Sequence, residues 1–185
     1  MPNFLNFLNS ASALGVPKAD AELKLFKKLG RGAVTSSFLY HYARLIEILA
    51  SIEYVERYMD DGEIMSEYLR ADAGINSLRG VGASEAPRGT LFHDYTVDRD
   101  GLLRKVNLIV ATGQNNLAMN RTVAQIARHY VRGENIPEPM LNRIEHGIRC
   151  YDPCLSCSTH AVGQMPLRIQ LIGAAGELLH EVARE

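Results

Sequence analysis

The sequence predicts an α+β fold, mostly helical with one or two small β-hairpins, and three stretches predict it. From Phe38 to about Met59 the apolar residues Phe38, Tyr42, Leu45, Ile46, Leu49, Ile52 and Val55 recur at helical spacing. Between Thr90 and Thr112, β-branched and aromatic runs flank Asp98-Arg-Asp-Gly101, which has the turn chemistry of a hairpin. Near the C-terminus, Pro137 and Pro139 open a helix that carries Met140, Leu141, Ile144 and Ile148 on one side.

The remaining elements follow in chain order. The first 15 residues are expected to be a poorly ordered or partner-dependent entry segment. Pro17 starts a helix in which Ala21, Leu25 and Leu29 recur at i+4, and Gly30 ends it. Thr35, Ser36 or Ser37 caps the long helix. Asp60-Asp61-Gly62 interrupts that helix, and a shorter one is expected to follow through Leu69. Four glycines (Gly74, Gly80, Gly82, Gly89) predict an irregular stretch from Gly74 to Gly89, ahead of the hairpin. Asn115 or Asn116 caps a helix that runs to Val131 and stops at Gly133. The helix after Pro137 delivers the chain to a cluster of cysteines, where Pro153 stops it. Leu167–Ile172 and Gly176–Val182 alternate and are expected to pair as a second hairpin.

Composition narrows the function. Lys+Arg of 20 against Asp+Glu of 21 leaves a formal net charge of -1, without the basic excess of a nucleic-acid binder. No apolar run approaches the roughly 20 residues that a bilayer span needs. The N-terminus lacks a basic stretch ahead of its apolar residues, so the expected location is cytoplasmic. With 46% hydrophobic residues the chain has material for a core, as one domain or as a piece of a larger one. Cys150, Cys154 and Cys157 are the only cysteines, and such crowding in a reducing compartment points to a metal or to thiolate chemistry.

The chemistry sits in Asp152-Pro153-Cys154-Leu-Ser-Cys157-Ser-Thr-His160. Thiolates three residues apart can address one centre, and they select nickel, iron, zinc or copper(I). A bare Cys-x-x-Cys is shared by zinc sites and redox pairs, whereas Asp-Pro-Cys-x-x-Cys-x-x-His resembles the C-terminal signature of nickel–iron hydrogenase large subunits. The resemblance extends to Glu85-Ala-Pro-Arg-Gly-Thr-Leu91, Asn107-Leu-Ile-Val-Ala-Thr112-Gly-Gln-Asn-Asn116 and Ser36-Ser-Phe-Leu-Tyr-His-Tyr-Ala-Arg-Leu-Ile-Glu47, and covers nearly the whole chain from about residue 12. It is closest in character to the cytoplasmic branch coupled to NAD, a deazaflavin or sulfur. The fold it implies is a part of the larger large-subunit body.

The resemblance also implies roles. Cys154 would be a terminal nickel ligand and Cys157 a bridge between nickel and an iron carrying CO and cyanide. Arg88 would set its guanidinium above the open metal position, with Pro87 lining the same cavity and Asp152 orienting Arg88. Thr112 matches a position that hydrogen-bonds a cyanide. His160 would end the mature chain and bind a nearby magnesium or iron ion, directly or through water. A maturation endopeptidase would cut between His160 and Ala161 once nickel is in place, which divides the chain into a large-subunit part (1–160) and a removable tail (161–185). Partners would include an N-terminal large-subunit half, an iron–sulfur small subunit and metallochaperones. The function implied is reversible H2 oxidation.

Two features depart from the family pattern. Met1 to Arg149 contains no cysteine, so the family's first Cys-x-x-Cys and the acidic residue near it are expected from another chain, and Cys154 and Cys157 are two of the four expected thiolates. The tail after His160 is still present, and as a hairpin it could keep Cys154 and Cys157 apart from a closed site until metal arrives. Plainer readings stand beside these. Cys150, Cys154, Cys157 and His160 suit a tetrahedral zinc knuckle, and zinc could enter the isolated chain. Arg88 could be a surface ion-pair residue, and Thr112 a structural residue at a strand end. His41, His93, His129, His146 and His180 read as surface or packing residues. The 36–59 helix is either core or an interface with missing large-subunit helices, and a lone piece would expose apolar surface or self-associate. Three functional classes remain: a hydrogenase part, an inactive relative serving as scaffold or maturation partner, and a small zinc or redox protein.

Overall fold

A computed structural model describes residues 3–30, 32–70, 74–133, 135–155, 157 and 167–184. The chain forms two compact units, Met1–Ala111 and Thr112–Glu185. Helices and small antiparallel sheets are combined in it, as the α+β expectation holds.

The first unit contains helices α1 (Asn3–Ser10), α2 (Pro17–Lys28) and α3 (Tyr40–Met59), followed by strands β1 (Arg79–Ala86), β2 (Gly89–Val97) and β3 (Leu103–Ile109). The opening segment forms a helix and has an anchor inside the chain. Leu8 is fully buried, and the Asn9 carboxamide accepts from Val34 N–H at 3.0 Å and donates to Val34 C=O at 2.9 Å. Helix α2 has proline in its first turn, but its N-cap is Val16, which offers no side-chain acceptor. Glu53 of α3 takes that place: its carboxylate accepts from Lys18 N–H at 3.1 Å and Ala19 N–H at 2.8 Å. A buried carboxylate is thereby satisfied by orphan donors of a helix N-terminus.

The buried faces differ from those read off the periodicity. In α2 the core side is Ala19, Leu23 and Phe26, while Leu25 and Leu29 are exposed. In α3 the core side is Tyr40, Ala43, Ile46, Ala50 and Glu53, while Leu45, Ile52 and Val55, and Phe38 in the 3-10 turn before it, are exposed. Apolar residues lie on more than one side of α3, so periodicity alone could not choose the inward one. The side that packs inward carries two alanines, Ala43 and Ala50, which the apolar periodicity does not highlight. Beyond α3 there is no second helix through Leu69, only a single 3-10 turn at Gly62–Met65, whose first N–H groups are served by Asp61.

The stretch from Gly74 was expected to be irregular, yet β1 occupies most of its second half. Its glycines hid the strand, since Gly80 and Gly82 carry no side chain to show alternation. β1 pairs antiparallel with β2 from Arg79↔Thr96 to Ala86↔Gly89, and β2 pairs with β3, which gives a three-stranded meander instead of one hairpin. The β2–β3 turn is as expected: the Asp98 carboxylate accepts from Asp100 and Leu102 N–H, and Gly101 takes φ +82°.

The second unit holds α4 (Asn116–Tyr130), α5 (Glu138–Arg149), β4 (Leu167–Ile172) and β5 (Leu178–Arg184). Ile126, Ile136, Met140 and Ile144 form its core, and Ile169, Leu171 and Val182 of the β4–β5 hairpin pack against it. Helix α5 buries Met140, Leu141, Ile144 and Gly147, close to the predicted side. Gly147 is where α4 comes nearest: a Cβ there would lie 2.4 Å from Ile126 Cδ1 and 3.3 Å from Thr122 Cγ2. The second hairpin forms as predicted, and His180 Nδ1 accepts the Ile136 N–H at 3.2 Å, tying β5 to the start of α5.

Candidate metal centre

Of the predicted site residues, Thr112, Asp152, Cys154 and Cys157 belong to the second unit, and Pro87 and Arg88 to the first. His160 and Ala161 lie outside the described residues.

Helix α5 ends one residue before Cys150, which is fully buried. Backbone bonds then wind the chain down: Tyr151 N–H donates to Ile148 C=O at 3.0 Å and Asp152 N–H to Arg149 C=O at 2.9 Å. Buried Tyr151 is held by a 2.9 Å hydrogen bond between its hydroxyl and Thr122 Oγ1 of α4. Asp152 then takes φ +47°, the only positive φ at a non-glycine among the described residues. That conformation costs of order 1 kcal/mol or more for a residue with a Cβ, and persists where the surroundings impose it. Pro153 follows and forbids a return to helix. The result is a sharp corner immediately before the first motif cysteine.

Cys154 is half-buried and Cys157 is exposed. Their sulfurs meet as a disulfide, with Cα atoms 5.4 Å apart. With the bond reduced, the same backbone presents two thiolates to one ion, the donor chemistry that nickel, iron or zinc accepts. Buried Thr112 supports this loop: its Oγ1 accepts the Cys154 N–H at 3.3 Å across 42 residues of sequence. Thr112, Cys154 and Cys157 are therefore brought together, and Thr112 acts on the backbone of a candidate ligand. The donor set fits half of a four-thiolate centre.

Pro87 and Arg88 are the two turn residues of the β1–β2 hairpin, since Ala86 pairs with Gly89. Proline presets its own φ in such a turn. Gly89 is required beside it, because a Cβ there would lie 2.6 Å from the Ala111 carbonyl oxygen. Arg88 is half-buried and sits at the tip of a paired hairpin.

Sequence reasoning missed two groupings. Cys150 Sγ and a ring nitrogen of His146 lie within 4.8 Å of each other, one turn apart on α5. The i, i+4 spacing was the available signal. Glu47 and Glu85 line one cleft of the first unit with Pro87, and no spacing in the sequence announces that pair.

The family model for nickel-dependent hydrogenases matches residues 8–160. The chain belongs to that family. The β subunit of the NAD-reducing hydrogenase HoxS of Cupriavidus necator is 44% identical over 97% of this chain and 38% of its own length. One subunit of the F420-non-reducing hydrogenase vhc of Methanococcus voltae is 40% identical over 89% of this chain and 35% of its own. A crystal structure of an NAD+-reducing nickel–iron hydrogenase in the H2-reduced state superposes with a TM-score of 0.76 at 42% identity, covering 83% of this chain and 34% of that one. This hydrogenase chain thus spans little more than a third of the length of the curated relatives it matches. The recognition made from the motif and its neighbours is borne out, and so is the α+β class. No helix among the described residues is long and apolar enough to cross a membrane.

Proposed function

We propose that this hydrogenase chain contributes half of a nickel–iron site for reversible H2 oxidation, completed by a segment that bears the first Cys-x-x-Cys. The observation that carries the reading is the convergence of the Cys154 and Cys157 sulfurs behind the Asp152 corner, with Thr112 bonded to the Cys154 backbone. Cys154 would hold nickel terminally and Cys157 would bridge nickel and iron. When bound, that group supplies the redox chemistry by which H2 becomes two protons and two electrons. The protein's part is to fix ligand geometry and to set the polarity around it. Arg88 offers a guanidinium cation from the β1–β2 turn. Asp152 serves as the orienting carboxylate and Pro87 as cavity wall. His160 would bind a magnesium or iron ion and mark the cleavage point before Ala161.

Electrons would leave through an iron–sulfur subunit, in a cytoplasmic assembly. The tail reading (161–185) draws support from β4 and β5, which pack on the α4–α5 core and are joined to it by His180. Removing such an element costs apolar contacts, so a maturation cut at His160 would be coupled to rearrangement of this unit.

Metal analysis of anaerobically purified chain, alone and co-expressed with a candidate N-terminal half, tests the proposal. Nickel and iron together only in the complex, with H2 uptake, is the expected result. Zinc or no metal in both samples would overturn it in favour of an inactive relative or a zinc protein.

A further inference from the structure

Within the first unit a cleft of about 280 Å³ opens beside the β1–β2 turn. Its wall is apolar at Phe7, Leu14 and Pro87, and it carries two carboxyl groups, Glu47 of α3 and Glu85 of β1. One stands on a long helix and the other on a paired strand, so their backbones hold both at the same cleft. A carboxylate close to a second negative charge is harder to ionise, and so is one partly withdrawn from water. Glu47 is accordingly pushed up to about 7, by burial first and by the charge of Glu85 second, against the opposing pull of Arg44.

The other groups that face Glu47 do not remove this arrangement. Arg44 is on the same helix, and Tyr54 donates its hydroxyl to the Leu14 carbonyl, so that proton is already engaged. The N-terminal segment contributes only Phe7 and Leu14 to this lining. Pro87, which shares the cleft, is joined to Arg88 in the two-residue turn. A guanidinium keeps its protons at neutral pH, so a proton released next to Arg88 needs a different acceptor. Glu85 is the nearest carboxyl group along the chain on that hairpin, and Glu47 shares its cleft.

We infer that Glu47 and Glu85 form a proton-exchange pair that carries protons between the Pro87–Arg88 turn and water in the cleft during hydrogen turnover. The inference rests on the hydrogenase reading. Each transfer adds one proton to a carboxylate oxygen of the pair, giving a carboxylic acid beside a carboxylate, and the same proton then leaves to water. No electron moves in the step. A group that gains and loses a proton near working pH suits this task better than an ordinary carboxylate.

The test has two readouts. Infrared difference spectra of the metal-free chain, titrated between pH 4 and 9, should show a protonated carboxyl band that disappears near neutral pH. Glu85→Gln should lower that midpoint on the order of one pH unit by removing the like charge, and Glu47→Gln should abolish the band. A midpoint in the ordinary carboxylate range, or one that Glu85→Gln leaves unmoved, overturns the pair. In the assembled complex, Glu47→Gln at unchanged nickel content should slow H2 uptake by about 10²-fold and shift its pH profile. A rate and profile equal to wild type overturn the transfer role. A wild-type complex without nickel or H2 uptake overturns the hydrogenase reading and the transfer role with it, while the near-neutral titration of the metal-free chain would still mark the pair.

Discussion

Thr112 shows how a residue named from its neighbours gains a physical task from its contacts. Its hydroxyl takes the backbone N–H of Cys154, and it is only 2% exposed. Thr112→Val keeps the shape and removes the acceptor, leaving a part-buried N–H unserved at a cost of about 1–2 kcal/mol. The expected outcome is a lowered unfolding midpoint and, under reducing conditions, several-fold faster reaction of Cys154 with a thiol reagent. Equal reactivity would show that the hydroxyl does not restrain the loop. Glu47 gives a second prediction at this scale. Its folded value is raised to about 7, so the folded chain holds the proton where the unfolded chain has already released it. Stability from this group is fully present below the ordinary carboxylate range and is lost as pH rises through about 7. Allowing for solvent screening, the loss is on the order of 1–2 kcal/mol. Denaturant midpoints measured from pH 4.5 to 8 should fall for wild type, and Glu47→Gln should flatten that dependence.

At the scale of elements, the helix pair of the second unit depends on one missing side chain. Gly147 lets Ile126 and Thr122 of α4 lie directly on α5. An alanine gains helix propensity of about 1 kcal/mol over glycine, but here its Cβ would fall 2.4 Å from Ile126 Cδ1. Overpacking of this kind typically costs 1–3 kcal/mol. Because Ile126 is also a core residue against Ile136, Met140 and Ile144, the displaced side chain has little room. Gly147→Ala is therefore expected to lower the stability of this unit by about 1–2 kcal/mol in chemical denaturation, and an unchanged or raised midpoint would contradict the packing argument. The capping of α2 by Glu53 belongs to the same scale, since a side chain from α3 serves where Val16 cannot. No local reading of residues 16–19 could supply it.

For the whole molecule, the outward side of α3 matters most. Leu45, Ile48, Ile52, Val55 and Met59 are 48–71% exposed, and Ile64, Met65, Tyr68 and Leu69 continue the apolar surface. Contiguous apolar surface of this kind marks an interaction site. A chain that spans little more than a third of its relatives has reason to carry one. Light scattering of the isolated chain should show concentration-dependent self-association, with enhanced fluorescence of a hydrophobic dye. Co-expression with the N-terminal half should suppress both. A monomer that binds no dye would count against a buried role for this surface.

The sequence by itself determined the family, because the nine-residue metal motif and the segments around Arg88 and Thr112 are local strings whose chemistry does not depend on where they fold. It also determined where most helices and two of the three hairpin turns lie, through proline, glycine and Asp-Gly signals that act within a few residues. Tertiary structure decided the rest. The buried sides of α2 and α3 were settled by packing within the unit, and β1 pairs with β2 although its glycines could not advertise a strand. The Thr112–Cys154 bond and the Glu47–Glu85 cleft join residues about 40 apart. Such contacts carry no local pattern, since only the path of the folded backbone sets which distant side chains share a space.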